Sequence, residues 1–336
     1  MKHKVGIVDI AKKTGFSPTT VSRVLSGNAS KYRISKKTEK IIQTTANELN
    51  YIPNDSARNL RTGRSKTIAL IIPSLKNPFF AEIASEINAE VKKYGYITFI
   101  GDSDDDIEIE KNEMLQFVSK NIDGLIIAPC GEESEHLIKA QNEGLPLICI
   151  DRYFEDCNLS FVSSDNYEGA YSATKYLIQQ GHENIACIQG VRHSVPNKQR
   201  VKGFLDALSE EGIQTYSVSG DDFSEQNGYI ESKLLLQKKN KPTAIFALSN
   251  TIAMGCLKAF KEENVKLPDD ISLIAFDENP YINYIDPPLT CISQPLEDIC
   301  KIAVKMLFSK IMDKEDTTKR ILLKTTLKIK ESVKKR

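Results

Sequence analysis

The sequence predicts a small all-α domain followed by a larger, two-lobed α/β body with doubly wound parallel sheets. Capped short helices open the chain, and from residue 67 onward short apolar runs alternate with amphipathic segments. The charge changes at the same point. Residues 1–66 hold 14 of the 45 basic and 4 of the 45 acidic side chains, which leaves 31 basic and 41 acidic in the rest. The net charge of zero therefore combines a basic head with an acidic body.

The head begins with a pattern typical of a helix-turn-helix. Asp9 is expected to start a first helix, and Gly15 permits the tight turn that follows. Ser17 is a good N-cap for a second helix, in which Pro18 occupies the first position. The apolar spacing of that helix leaves four residues on its open faces: Thr19, Thr20, Ser22 and Arg23. The second helix of such a motif enters the DNA major groove by its N-terminus.

A third helix is predicted over residues 36–50, after the N-cap Ser35. Four of its apolar residues are expected to close a three-helix core: Ile41, Ile42, Ala46 and Leu49. The plain alternative is a small helical bundle without a role on nucleic acid. The basic charge and the capped second helix together favour DNA binding.

The segment 51–66 is strongly basic and has few apolar residues. Asn54 is placed to cap a short helix over residues 55–61, although a helix of this length is marginal in water without a partner. Leu60 suits an apolar wedge between base steps of a minor groove. The alternative is a flexible, solvated linker.

The body is read as βαβ units because apolar runs alternate with helical segments. Seven runs are expected to form strands: 67–73, 96–102, 124–129, 146–151, 184–190, 244–249 and 272–277. An amphipathic helix over 294–313 and a strand over 320–331 follow, and the final basic residues are expected to be solvated.

Ligands in such folds bind outside the carboxyl ends of the strands. Aromatic, carboxylate, amide and guanidinium side chains follow five of the runs: Phe79, Phe80, Asp151, Arg152, Arg200, Asn250 and Asp277. These groups suit a sugar, since they bond vicinal hydroxyls and cover the C–H face of a ring. Each residue alone has a plain structural explanation, such as a loop cap or a core aromatic. The nearby Arg192, His193 and Lys198 raise the alternative of an anionic effector, such as a sugar acid.

The stretch DIAKKTGFSPTTVSRVLSG, followed by LNYIPNDSARNLRTGRSKTIALIIP, resembles the LacI/GalR family of bacterial transcriptional regulators. The resemblance implies that Pro18, Thr19 and Arg23 read bases. It also implies that Leu60 intercalates at a hinge helix and that Ala57 lies where two hinge helices meet. The loop SGNASKYRIS is about three residues longer than the family spacing, so Lys31 and Arg33 are candidates for new phosphate contacts.

The body carries further resemblances to the family in PSLKNPFFAEI, PLICIDR, RVKGFLDAL and FALSNTIAMGCLKAF. They imply a periplasmic-binding-protein-like core with eight effector-binding residues: Phe79, Phe80, Asp151, Arg200, Phe223, Asn250, Asp277 and Gln294. Two departures flank this site, because Thr251 and Glu278 replace aspartates that are usual in the family. Both bear on which ligand binds.

The expected organisation is a helix-turn-helix domain over 1–52, a hinge over 53–66 and an effector-binding, dimerising core over 67–336. The first lobe is assigned about 67–164 and 295–319, and the second about 165–294 and 320–336. The expected partners are double-stranded, pseudo-palindromic operator DNA, a sugar or sugar-acid effector, and a second copy of the chain, with a tetramer left open.

No cofactor, metal site or membrane segment is expected. Seven cysteines without a CxxC spacing and the lack of an N-terminal apolar segment favour a reducing cytoplasm. A rival function is a sugar-processing enzyme that uses Asp151 and Asp277 as paired carboxylates. It lacks any recognisable nucleotide, nucleophile or metal motif and has no need of the basic head. A transporter's solute-binding protein is disfavoured because the sequence has no signal-peptide pattern.

Overall fold

The computed structural model describes residues 5–51, 64–313 and 317–336. It divides into two compact units, Met1–Ser65 and Lys66–Arg336. The predicted hinge residues Asn54, Ala57 and Leu60 lie outside the described residues.

The first unit contains three helices, α1 (Ile7–Thr14), α2 (Pro18–Leu25) and α3 (Lys36–Glu48). Serine caps begin the second and third, because the Ser17 and Ser35 hydroxyls accept hydrogen bonds from the backbone N–H groups of Thr20 and Thr38, both at 3.1 Å. The core joins all three helices: Ile10, Ala11, Val21, Val24, Ala29, Ile42 and Ala46.

Two details of this unit differ from the prediction. The first helix begins at Ile7, two residues before Asp9, because the Asp9 carboxylate accepts the Gly6 N–H at 2.8 Å and closes the helix from its third position. Ile41 was expected in the core, but it is exposed, since it lies one residue before the buried Ile42 and therefore faces about 100° away.

The first lobe of the body is a six-stranded sheet in the order β11-β5-β4-β3-β1-β2. Its strands are β1 (Thr67–Ile72), β2 (Ile97–Asp102), β3 (Gly124–Ile127), β4 (Leu147–Ile150), β5 (Phe161–Ser164) and β11 (Arg320–Leu323). Helices α4 (Pro78–Lys93) and α11 (Leu296–Met312) cover one face. Helices α5 (Ile107–Ser119) and α6 (Glu135–Asn142) cover the other.

The second lobe repeats this plan in the order β12-β10-β9-β8-β6-β7. Its strands are β6 (Ile185–Ile188), β7 (Tyr216–Ser219), β8 (Ala244–Ala247), β9 (Ser272–Phe276), β10 (Thr290–Ser293) and β12 (Thr326–Lys328). Helices α7 (Asn166–Gln179) and α8 (Val195–Glu210) cover one face, and α9 (Glu225–Leu236) and α10 (Asn250–Glu262) cover the other. All strand pairs that the structure describes are parallel except β10–β12.

The end of the chain corrects two predictions. The strand expected over 320–331 is two strands in different sheets: β11 pairs with β5 of the first lobe, and β12 pairs with β10 of the second. Residues 320–323 therefore belong to the first lobe, although 320–336 was assigned to the second. The basic end is also not solvated throughout, because Ser332 is buried and the backbone N–H groups of Lys334 and Arg336 donate to Ser272 and Gln180.

Candidate functional site

The open face of α2 begins at two exposed residues, Pro18 and Thr19. Thr20 and Ser22 are half-buried, and the Thr20 hydroxyl lies 2.9 Å from that of Ser17 as part of the cap. The Arg23 guanidinium stacks on the ring of Tyr32, with its central carbon 3.9 Å from the ring centroid. Sequence reasoning missed Tyr32, because a stack between a helix and the following loop leaves no spacing signal.

Lys31 and Arg33 are both exposed on the loop that joins α2 to α3. Arg33 adopts a left-handed backbone conformation with φ of 53°. Exposed cations beside a helix-turn-helix are suited to phosphate contacts. Because both side chains are exposed, their contact with DNA phosphates stays a prediction that the structure allows.

The eight predicted effector residues converge between the two lobes of the body. Six of them line one small cavity of about 20 Å³: Phe79, Phe80, Asp151, Arg200, Phe223 and Asp277. A second cavity of about 640 Å³ opens beside it and shares the side chains of Phe80, Arg152 and Phe223. The inner space suits about one water molecule. A sugar is larger than this inner space, whereas the adjoining cavity has room for one.

Arg200 is the buried cation of the site. It comes from α8, donates to the Asn166 side chain and to the Leu248 carbonyl, both at 2.7 Å, and lies 3.7 Å above the Phe276 ring. Its Nη2 is 4.0 Å from Asp277 Oδ1. Burial lowers the pKa of Arg200 and the two neighbouring aspartates oppose that shift, so the group stays a cation with fixed geometry.

Asp277 follows β9 with a left-handed φ of 74°. Its Oδ1 accepts a hydrogen bond from the Gln294 amide, and the Asn250 backbone also donates to Asp277. Gln294 and Asn250, the two remaining predicted residues, therefore lie at the same place. Burial raises the pKa of Asp277, while Arg200 and these donors act to lower it. The Asn250 side chain is 1% exposed and, within the described chain, neither its amide oxygen nor its nitrogen has a partner.

Asp151 follows β4 and is also left-handed, with φ of 59°. Burial raises the pKa of Asp151 to about 6, against the lowering effect of Arg200 and Arg152. Its Oδ1 is buried without a partner among the described residues. Asp151 and Asp277 are thus two non-glycine residues held in the left-handed conformation, one after a strand of each lobe. Such backbone strain is typical of functional sites.

The aromatic wall has two parts. Phe79 and Phe80 open α4 behind the cap Asn77 and pack edge to face, with centroids 5.1 Å apart. Phe223 comes from the other lobe and lies over Gly190, where a Cβ would meet its ring at 2.2 Å. A side chain at position 190 would displace the Phe223 ring from its place in the wall. The sequence analysis did not single out Gly190.

Arg152 was noted after the fourth run but not assigned to the site. Both of its terminal nitrogens donate to the Asp105 carboxylate. Burial lowers the pKa of Arg152, but the hydrogen bonds and the charge of Asp105 raise it more, so the pKa is higher than usual. Asp105 was missed, although it too follows a strand, β2, and the strand-end rule would have found it. The site thus holds three carboxylates and two guanidinium groups.

The other basic residues do not join this inner cavity. Arg192 donates to the Gly220 carbonyl at 3.1 Å, while His193 and Lys198 line a separate cavity of about 250 Å³. The two departures from the family pattern have structural partners. Thr251 donates to the Phe223 carbonyl at 2.7 Å, and Glu278 pairs with Lys330 at 3.5 Å.

One side-chain hydrogen bond joins the two lobes beside the site. Gln199 of α8 donates to Glu155 of the first lobe at 2.9 Å.

Within the described residues, no group of His, Cys, Asp and Glu side chains is arranged to hold a metal ion. None of the described helices combines the length and apolarity needed to cross a membrane.

Two family models match the chain. Residues 6–54 match the "Bacterial regulatory proteins, lacI family", and residues 65–331 match the "Periplasmic binding proteins and sugar binding domain of LacI family". The chain is 32% identical to the HTH-type transcriptional repressor PurR of Pasteurella multocida, over 98% of this chain and 99% of that one. It is 33% identical to the ribose operon repressor of Halalkalibacterium halodurans, over 98% and 97%.

Solved structures agree with the fold. A Lac repressor dimer bound to operator and the anti-inducer ONPF superposes with a TM-score of 0.88, at 24% identity and over 99% of this chain and all of that one. A LacI family regulator of Enterococcus faecium with bound ribose gives 0.74, at 26% identity and over 80% and 99%. The predicted fold class is confirmed, and the reading as an enzyme is set aside by the family matches. The chain belongs to the LacI family of bacterial transcriptional regulators and combines a DNA-binding domain with a sugar-binding effector domain.

Proposed function

We propose that this protein is a repressor whose affinity for operator DNA is controlled by a small neutral sugar held between the lobes. The observation that carries the proposal is a set of buried polar atoms without described partners at one site: Asp151 Oδ1, Gln294 Oε1 and both amide atoms of Asn250. Asp151 lines the inner cavity, and Gln294 and Asn250 bond Asp277 of the same lining. Leaving such groups unpaired costs free energy, so a ligand that supplies several hydroxyls would satisfy them.

The charges of the site favour a neutral ligand over a sugar acid. Asp105 occupies Arg152, and Arg200 is shared between Asp151 and Asp277, so carboxylates outnumber guanidinium groups by one. An added anion would meet this excess in a low-dielectric site. Ribose is our first candidate, because two relatives are named ribose operon repressors and one structural neighbour carries ribose.

On DNA, we propose that the protein acts as a dimer on a pseudo-palindromic operator in the cytoplasm. Two copies of α2 related by a two-fold axis would read two half-sites. Ile230 and Leu234 support self-association, since they lie one turn apart and exposed on α9, where they form an apolar stripe. We also propose that Asn54, Ala57 and Leu60 contribute to DNA binding at each half-site.

Calorimetry on the full chain tests the effector. We expect ribose to bind more tightly than hexoses, ribonate or ribose 5-phosphate, and Asn250→Ala to abolish binding. The matched control Gln116→Ala removes an exposed side chain on α5 and should bind ribose normally. Tighter binding of the two anions than of any neutral sugar would overturn the assignment of a neutral effector.

In vitro selection from random duplex DNA tests the operator. We expect the wild-type chain to recover two inverted half-sites, and sedimentation of the complex to give two protein chains per duplex. Recovery of no shared sequence would refute the proposed function on DNA.

A further inference from the structure

The loop between α2 and α3, residues 26–35, is built into the first unit. Ala29 is 3% exposed in the core, and Ile34 packs against the same core. The N–H of Asn28 donates to the Arg23 carbonyl at 3.0 Å, and the N–H of Ile34 donates to the Ala29 carbonyl at 2.9 Å. The loop thus returns to α2 and is fixed at both ends.

This anchoring holds Tyr32 at the side of α2. The N–H of Tyr32 donates to the Asn28 carbonyl at 3.2 Å, and its ring covers the Arg23 guanidinium at 3.9 Å. Tyr32 remains 45% exposed, so its ring does little as a core residue. The contact that the structure shows for this ring is the Arg23 guanidinium.

A stacked guanidinium keeps its hydrogen-bonding edge available. The stack uses the flat face of the group, whereas its N–H donors lie in the plane and point outward. A bidentate contact to guanine uses only that edge. Stacking on Tyr32 is therefore compatible with reading a base, and it removes rotamer freedom that a long arginine would otherwise lose on binding.

We propose that Tyr32 is a positioning residue for DNA reading: it fixes the Arg23 guanidinium and thereby sets discrimination at the base pair that Arg23 contacts. This inference rests on the proposed function, in which α2 reads DNA. It assigns a role to the loop whose extra length departs from the family pattern.

The test uses the full chain and the duplex that the wild-type protein recovers by in vitro selection. Affinity is measured for every single-base-pair change in one half-site, and Arg23→Ala identifies the base pair at which discrimination disappears. We expect Tyr32→Ala to reduce discrimination at that same pair by about three- to tenfold. Tyr32→Phe keeps the ring and should restore the wild-type profile.

Two controls separate positioning from a general loss of structure. Lys31→Ala, one residue away, should weaken binding evenly across all base pairs and lower the salt dependence by about one ion. In the Arg23→Ala background, Tyr32→Ala should have no further effect on discrimination, since the group it positions is absent.

Three outcomes would overturn the inference. They are an even loss across all base pairs with a lower melting temperature, an unchanged profile in Tyr32→Ala, and additive effects of the two substitutions. If the wild-type chain selects no sequence, the proposed function itself fails, which is distinct from these results.

Discussion

Asp151 and Asp277 show how single residues build the proposed effector site. Each ends a strand in a left-handed conformation, which turns its carboxylate into the space between the lobes. Sequence reasoning placed both residues, because strand ends are recognisable in a linear pattern. It missed Asn166 and Gly190, because their roles depend on partners 34 and 33 positions away along the chain. It also overlooked Asp105, which the strand-end rule would have found.

We expect the effector affinity to depend on the protonation of Asp151. Burial raises the pKa of Asp151 to about 6 in the absence of ligand, and sugar hydroxyls donate best to the ionised carboxylate. Near and below pH 6 binding therefore releases a proton, and the affinity should fall about tenfold between pH 7.5 and pH 5. Calorimetry in buffers of different ionisation enthalpy measures the proton release directly.

The variant Asp151→Asn checks the origin of this pH dependence. It should bind the sugar more weakly at pH 7.5, and its sugar affinity should not change with pH down to pH 5.

In the free wild-type protein the same raised pKa predicts that the free energy of unfolding decreases as the pH rises from about 4 to about 6, because the folded state holds the proton more tightly than the unfolded chain. A pH profile that persists in Asp151→Asn would contradict this account.

A second residue-scale prediction concerns Asp277→Asn. The substitution keeps an oxygen that can accept the Gln294 amide but removes the charge 4.0 Å from Arg200. We expect effector affinity to fall at least about tenfold, the loss of a charge-assisted hydrogen bond. Operator binding without effector should stay normal. Loss of DNA binding with unchanged sugar affinity would show that the site has been assigned wrongly.

The elements of the body followed the sequence pattern where they are long or fully apolar. All seven predicted apolar runs contain a strand. The runs FVSS, YSVS and TCIS were not predicted as strands, because four-residue segments that contain serine carry little periodic signal. β11 was misassigned because its partner β5 lies about 160 residues earlier.

The N-cap of α2 permits a prediction at the scale of an element. Ser17→Ala removes the acceptor of the Thr20 N–H, and we expect it to lower the free energy of unfolding of the first unit by about 1 kcal/mol. Ser17→Asn retains an acceptor and should lose much less. Hydrogen exchange of the α2 amides measures the effect, and equal protection in both variants would exclude a capping role.

The close packing of α9 on α10 permits a second prediction at the scale of an element. A Cβ on Gly255 would lie 2.0 Å from the Glu225 carbonyl oxygen, which is backbone and cannot move alone. We expect Gly255→Ala to lower the free energy of unfolding of the body by about 1–3 kcal/mol, although alanine favours helix. Lys261→Ala, on the exposed side of α10, is the matched control for thermal unfolding. A stabilised Gly255→Ala variant would contradict the close approach.

For the whole molecule, the division of charge predicts two different responses to salt. Operator affinity should fall about a hundredfold or more between 50 and 200 mM salt, because the basic head must displace counterions from phosphates. Ribose affinity should change by less than about twofold over the same range, since its contacts are buried and the ligand is neutral. Titrations of both ligands in one salt series make the comparison, and parallel losses would refute it.

The three links between the lobes have a mechanical consequence. The chain crosses at Asp165, at Gln294 and Pro295, and at Lys324 and Thr325, and the first and third crossings are tied by the Asp165 N–H to the Leu323 carbonyl at 2.8 Å. We expect three short, adjacent crossings to permit rotation of the lobes about a shared axis and to oppose sliding of one lobe along the other. Gln294 lies at the second crossing and bonds Asp277 in the site. In the proposed site, a sugar that bonds Asp277 would act directly on Gln294 at this crossing, and the contact would couple sugar binding to lobe rotation.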